Sequence, residues 1–115
     1  MTSKAQGSRA EDFAAAWLER RGLRVIARNW HCRFGELDLV LREGATIVIA
    51  EVRQRSSLRY GGAAASIDRH KQRKLAATAQ LYLSRHPAAP CRFDVVLMSD
   101  TEGADIEWIR NAFTL

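Results

Sequence analysis

Between Ile47 and Val52, five of six residues are apolar and the exception is a carboxylate, Glu51. A short run this rich in Ile and Val reads as a central strand covered on both faces. A lone acid in such a strand is expensive to desolvate unless it is paired. The chain therefore has to build a sheet with layers on both sides, and it has to give Glu51 a partner.

The remaining sequence supplies those layers. Ser8-Arg-Ala-Glu11 has the form of a capping box and predicts a helix from about residue 9 to Arg21. Phe13, Ala14, Trp17 and Leu18 form its apolar stripe, and Gly22 is its stop. Strands are expected over 23–30, 36–41 and 46–53, with a turn at 31–35 and a hairpin turn at 42–45. A polar loop over 54–62 ends in Gly61-Gly62. A second helix is expected over roughly 64–85, buried through Leu75, Ala79 and Tyr82 and ended by Pro87 and Pro90. Strands over 92–98 and 105–113 complete the chain. The order α-β-β-β-α-β-β predicts an α/β fold, a central mixed sheet flanked by helices. The length, 115 residues, is that of one domain spanning 1–115.

Side chains two apart on a strand share a face. Leu37, Leu39 and Leu41 are accordingly expected on one face of their strand, with Glu36 and Asp38 on the other. Glu51 and Arg53 share a face with Ile47 and Ile49. The hairpin pairs these strands antiparallel, so Asp38 and Glu51 can lie side by side. Two carboxylates about 4 Å apart repel by roughly 4 kcal/mol at an effective dielectric near 20. A divalent cation reverses the sign of that interaction, and hard cations such as Mg²⁺ prefer oxygen ligands. The competing reading is a solvated acidic sheet face. Acids followed by a basic residue on a strand also place metal and phosphate together.

The chain carries 18 basic and 13 acidic side chains, a net charge of +5. A positive field favours polyanions. Arg69, His70, Arg73 and Lys74 crowd the second helix, and Arg55 and Arg59 lie in the loop before it. Together they are expected to track a phosphate backbone, unless they are only a solvated helix face. Trp17 and Trp108 are read as core residues. Cys32 and Cys91 lack the spacing of a zinc site and fit reduced thiols. Residues 1–7 carry no apolar run of a signal peptide, and no stretch approaches a membrane span. A soluble cytoplasmic protein with no membrane partner is expected.

Arg28-Asn-Trp30, Gly35-Glu-Leu-Asp-Leu39, Glu51-Val-Arg-Gln-Arg55, Lys71, Arg92-Phe-Asp-Val-Val96 and Asn111-Ala-Phe113 occur in register along nearly the whole chain. In these motifs it resembles the YraN-type family of bacterial proteins. That family resembles the PD-(D/E)xK nuclease superfamily, and within it the archaeal Holliday junction resolvases. The resemblance implies a restriction-endonuclease-like fold. It makes Asp38 and Glu51 ligands of Mg²⁺ or Mn²⁺, with Glu36 a further acid or a rim residue. It also implies that Glu11, on the first helix, approaches the metal, in competition with its capping-box role. A homodimer is expected by analogy with the resolvases. Asp94 matches a family motif and shares a strand face with Arg92, a pairing read as structural.

The superfamily motif ends in lysine, where this chain has Arg53. Arginine stays charged at any working pH, so Arg53 cannot be a general base. It can hold a phosphate bidentately or stabilise charge at phosphorus. Ile67, Lys71 and Leu75 form one line down the second helix, so Lys71 projects from the sheet-facing side. It is either a relocated lysine for the scissile phosphate or a snorkelling surface lysine. Three functions are thereby expected, in this order: a Mg²⁺- or Mn²⁺-dependent endonuclease acting on structured DNA, with Asp38, Glu51, Arg53 and Lys71 as its catalytic set; a nuclease fold that binds nucleic acid without catalysis; and a protein-interaction domain.

Overall fold

The computed structural model describes residues 3–54, 67–86, 88–98 and 106–113, with side chains from Arg9 onward. Its elements are α1 (Ser3–Glu19), β1 (Arg24–Cys32), β2 (Gly35–Glu43), β3 (Thr46–Gln54), α2 (Arg69–Leu83), β4 (Cys91–Met98) and β5 (Ile106–Phe113). The predicted order holds. The strands form one five-stranded sheet in the order β1-β2-β3-β4-β5. β1–β2, β2–β3 and β4–β5 pair antiparallel, and β3–β4 pair parallel. A tight turn suffices for an antiparallel pair, whereas a parallel pair needs a crossover, here the segment containing α2.

β3 sits in the middle, and Ile47 through Val52 are all buried. Its side chains alternate between two cores. Val48, Ala50 and Val52 join Ala14, Leu18, Leu39 and Leu41 on the α1 face. Ile47 and Ile49 join Leu37, Leu75, Tyr82, Phe93 and Val95 on the α2 face. The sheet is thus covered on both sides, as an apolar central strand requires.

Two helix ends differ from expectation in instructive ways. The backbone of α1 is already helical at Ser3, so Ser8 and Glu11 lie inside the helix and cannot cap it. Lys4, Ala5 and Gln6 are good helix formers, and the single Gly7 costs only about 1 kcal/mol against alanine. The stop at Gly22 is as expected. Gly22 takes φ 97°, its N–H donates to the Glu19 carbonyl, and the Leu23 N–H donates to the Leu18 carbonyl. This is the Schellman arrangement, and Leu18 and Leu23 close it with an apolar contact in the α1-face core.

α2 begins at Arg69 rather than near 64, with Asp68 as its N-cap accepting from the Lys71 N–H at 2.8 Å. The predicted loop residues Arg55 and Arg59, and Pro87, lie outside the described residues. No helix among those described is long and apolar enough to cross a membrane.

Candidate functional site

The β2–β3 ladder runs from Glu43↔Thr46 to Leu39↔Ala50 and stops there. The next two strand-to-strand links are made by carboxylates. The Asp38 N–H donates to Glu51 Oε2 at 3.2 Å. The Val52 N–H donates to Asp38 Oδ2 at 3.0 Å. Each acid therefore takes a backbone donor from the opposite strand. The substitution shifts the side-chain alternation of β2: Leu37 packs on the α2 face, while Leu39 and Leu41 pack on the α1 face. The expected single face for the three leucines is corrected accordingly. The slip falls at Asp38, where regular pairing ends.

Glu51 is only 2% exposed. Burial drives its carboxyl well above the ordinary carboxylate range, and the charge of Asp38 adds to this. The Asp38 N–H and the positive charges of Arg53 and Lys71 pull the other way.

β1 and α1 bring a third acid. Asn29 has φ 50°, a left-handed conformation that asparagine tolerates better than most residues. There the side chains of two consecutive residues both reach α1: Arg28 pairs with Asp12, and Asn29 hydrogen-bonds Glu11. Desolvation, then the charge of Asp38, raise the Glu11 carboxyl from 4.5 to about 7, with Glu36 adding a smaller push. With the capping role excluded by the position of Ser8, Glu11 is the acid that α1 turns toward Asp38.

On the α2 side the site opens into a cleft of about 490 Å³. Among the described residues, Glu36, Asp38 and Glu51 form its acidic wall, and His70, Lys71 and Lys74 from α2 form its basic wall. Thr78, Leu75, Asp68 and Gly35 complete the lining. Arg53 stands beside Glu51, Nη2 to Oε1 at 3.7 Å, too long for a hydrogen bond. Its Nε and Nη2 are buried and have no hydrogen-bond partner among the described residues. Buried donors left without a partner cost about 1–3 kcal/mol.

The structure thus brings together Asp38, Glu51, Glu36, Glu11, Arg53, Lys71 and Lys74. Arg69 and Arg73 are exposed on α2 and do not line the cleft. Asn29 and Asp68 were not singled out as site residues from sequence, whereas His70 was read with the basic residues of the second helix. An Asn between two residues of a strand, and an Asp one position before a helix, were the signals available for the first two.

The donor set is suited to a hard cation. Among the described residues, no three His, Cys, Asp or Glu side chains stand close enough to enclose an ion. Mg²⁺ is usually held by only one or two carboxylates and completes its shell with waters and substrate phosphates. Asp38 and Glu51 fit that mode, and the all-oxygen pair fits Mg²⁺ or Mn²⁺ better than zinc.

A separate polar cluster holds the far edge of the sheet. Asp94, fully buried, accepts from Arg92 Nε at 3.0 Å, Trp108 Nε1 at 2.9 Å and the Asn111 N–H at 2.8 Å. Arg92 and Arg110 both bond Glu43. Trp108 and Trp17 meet edge to face, with centroids 6.0 Å apart, over the α1-face core.

Comparison with known proteins places this architecture in a family. The model of "Uncharacterised protein family UPF0102" matches residues 10–98. A UPF0102 protein of Methylobacillus flagellatus is 54% identical over 111 residues, covering 96% of this chain and 98% of that one. One from Nitrosomonas europaea is 54% identical over 109 residues, covering 94% and 92%. The UPF0102 protein YraN of Escherichia coli is 50% identical over 117 aligned positions, covering 98% and 87%.

Proposed function

We propose that this chain, which belongs to the UPF0102 family, binds nucleic acid and hydrolyses phosphodiesters of structured DNA with the help of Mg²⁺ or Mn²⁺. The observation that carries this reading is the Asp38–Glu51 pair, interlocked through the backbone at the edge of a cleft whose opposite wall is Lys71 and Lys74. A phosphodiester entering such a cleft meets a cation site on one side and ammonium groups on the other. The element order and the positions of the acids support the likeness to PD-(D/E)xK nucleases.

Asp38 and Glu51 would hold the ion, which supplies Lewis acidity and a water of lowered pKa. Arg53, beside Glu51, would stabilise negative charge developing at a phosphate held in the cleft. It keeps its proton throughout, so it takes none from water. Lys71 holds the same phosphate from α2, and Lys74, one helical turn on, holds a neighbouring one. Arg69 and Arg73 lie outside the cleft and add a general positive field. Two free thiols, Cys32 and Cys91, suit a reducing cytoplasm.

Arg53 favours a second reading as well. A site without the motif lysine fits a module that binds nucleic acid and does not cut it. One experiment separates the two. Purified protein is incubated with labelled duplex, single-stranded, flapped and four-way-junction DNA in Mg²⁺, Mn²⁺ or EDTA, beside an Asp38→Asn/Glu51→Gln control. Metal-dependent cutting that the control lacks supports the nuclease. Salt-sensitive binding without cutting on any substrate supports the module. Absence of both cutting and binding overturns both readings.

A further inference from the structure

Phe34 is an exposed aromatic in an unusual place. Among the described residues, the large apolar side chains most open to solvent are Phe34, 39% exposed, and Leu81, 41% exposed. Arg33 and Phe34 form the tip of the β1–β2 hairpin, between the paired Cys32 and Gly35. The next two residues, Gly35 and Glu36, line the carboxylate cleft. Phe34 thus immediately precedes the stretch of chain that lines that cleft.

The tip is braced there. A Cβ added at Gly35 would lie 3.0 Å from Thr78 Oγ1, so the hairpin backbone abuts α2 closely. Thr78 is itself fully buried and donates to the Lys74 carbonyl at 2.8 Å. The Phe34 N–H donates to Cys32 Sγ at 3.4 Å, tightening the turn. The Arg33 guanidinium lies over one face of the ring, 4.7 Å from its centroid. The tip thus presents an aromatic face and a cation together, next to a cleft suited to phosphate. A base inside a duplex already has both faces stacked. A base with a free face, in a single strand or at an opened branch point, can use such a ring.

We propose that Phe34 is a stacking platform for an unstacked nucleobase adjacent to the phosphate held in the cleft, so that single-stranded or branched nucleic acid is the preferred ligand. This rests on the nucleic-acid reading above and adds a specificity-determining residue to it.

The test uses the full chain in EDTA and three fluorescein-labelled probes: a single strand, a four-way junction and a blunt duplex. Phe34→Ala weakens the single strand and the junction by about tenfold or more, the usual effect of losing one base–aromatic stack, and leaves the blunt duplex unchanged. Phe34→Trp restores the preference. A 2-aminopurine placed in the single strand is quenched by the parent chain and not by Phe34→Ala. Unchanged affinity of Phe34→Ala for all three probes, or an equal loss on all three, overturns the stacking role while the nucleic-acid reading stands. No binding of any probe by the parent chain overturns both.

Discussion

Asp38 and Glu51 hold each other's strands: the Asp38 N–H bonds the Glu51 carboxylate, and the Asp38 carboxylate accepts from the residue that follows Glu51. One oxygen of each acid therefore serves strand pairing while the same carboxylates line the cleft. Changes that remove charge can be separated from changes that remove the hydrogen bond.

Asp38→Asn keeps an oxygen for the Val52 N–H and removes one negative charge. Metal-dependent cleavage should fall at least about a hundredfold, within the range for loss of an essential charge-stabilising group. Thermal stability in EDTA should be equal to or above that of the parent, because a like-charge contact is relieved. Asp38→Ala should instead cost about 1–3 kcal/mol by orphaning the Val52 amide. A parallel cleavage assay and urea melt checks both, and a melt that ranks Asn below Ala would contradict the assignment.

The pH dependence has a defined sign. The carboxyls of Glu11 and Glu51 are both raised above 4.5 in the folded chain. Folding thus favours their protonated forms. Their contribution to stability is full below about pH 4.5, and it is lost as pH rises through about 7 for Glu11 and further up for Glu51. Melting temperature in EDTA should fall between pH 5 and pH 8. Glu11→Gln should flatten the first part of that fall. Mg²⁺ or Mn²⁺ should raise the melting temperature more at pH 8 than at pH 6, since ligands must be deprotonated to bind.

Lys71→Met preserves the stem of the side chain and deletes its charge. Affinity for nucleic acid should weaken to a similar degree across sequences, and the slope of log affinity against log salt should shrink by about one. Arg73→Met, on the exposed side of α2, should change both quantities less. Titrations from low to moderate salt read the slopes directly, and equal slopes for the two variants would remove Lys71 from the phosphate contacts.

Asp94→Ala tests the distant cluster. It leaves Arg92, Trp108 Nε1 and the Asn111 N–H without their common acceptor. Loss of one partner from a buried charged network costs about 3–5 kcal/mol. Equilibrium urea unfolding should show that loss. Any activity that survives in the folded fraction should keep its parental metal dependence, because β4 and β5 supply no residue to the acidic wall of the cleft.

Much of this was legible in the sequence because apolar periodicity reports burial directly. The run from Ile47 to Val52 did mark a two-sided central strand, and the line Ile67–Lys71–Leu75 did turn Lys71 into the cleft. The face of Leu37 was not legible, since strict alternation assumes a regular ladder and the ladder with β3 reaches only to Leu39, the residue after Asp38. The left-handed backbone of Asn29, which lets β1 hold Glu11, leaves only an asparagine in a strand as its trace. The capping box at Ser8 misled because the residues before it extend the helix on propensity alone. Local motifs of this kind compete with the segment upstream, and a four-residue window does not see that segment.

The two carboxylate links between β2 and β3 give the end of the sheet an unusual property. In most sheets the charge on a side chain and the pairing of the backbone are separate variables. Here the Asp38 and Val52 amides each donate to an acid side chain of the opposite strand, so protonation, amidation or cation loading is expected to register in the strand pairing itself. Hydrogen exchange at these two amides is therefore a direct gauge of the charge state of the cleft, readable with no substrate present.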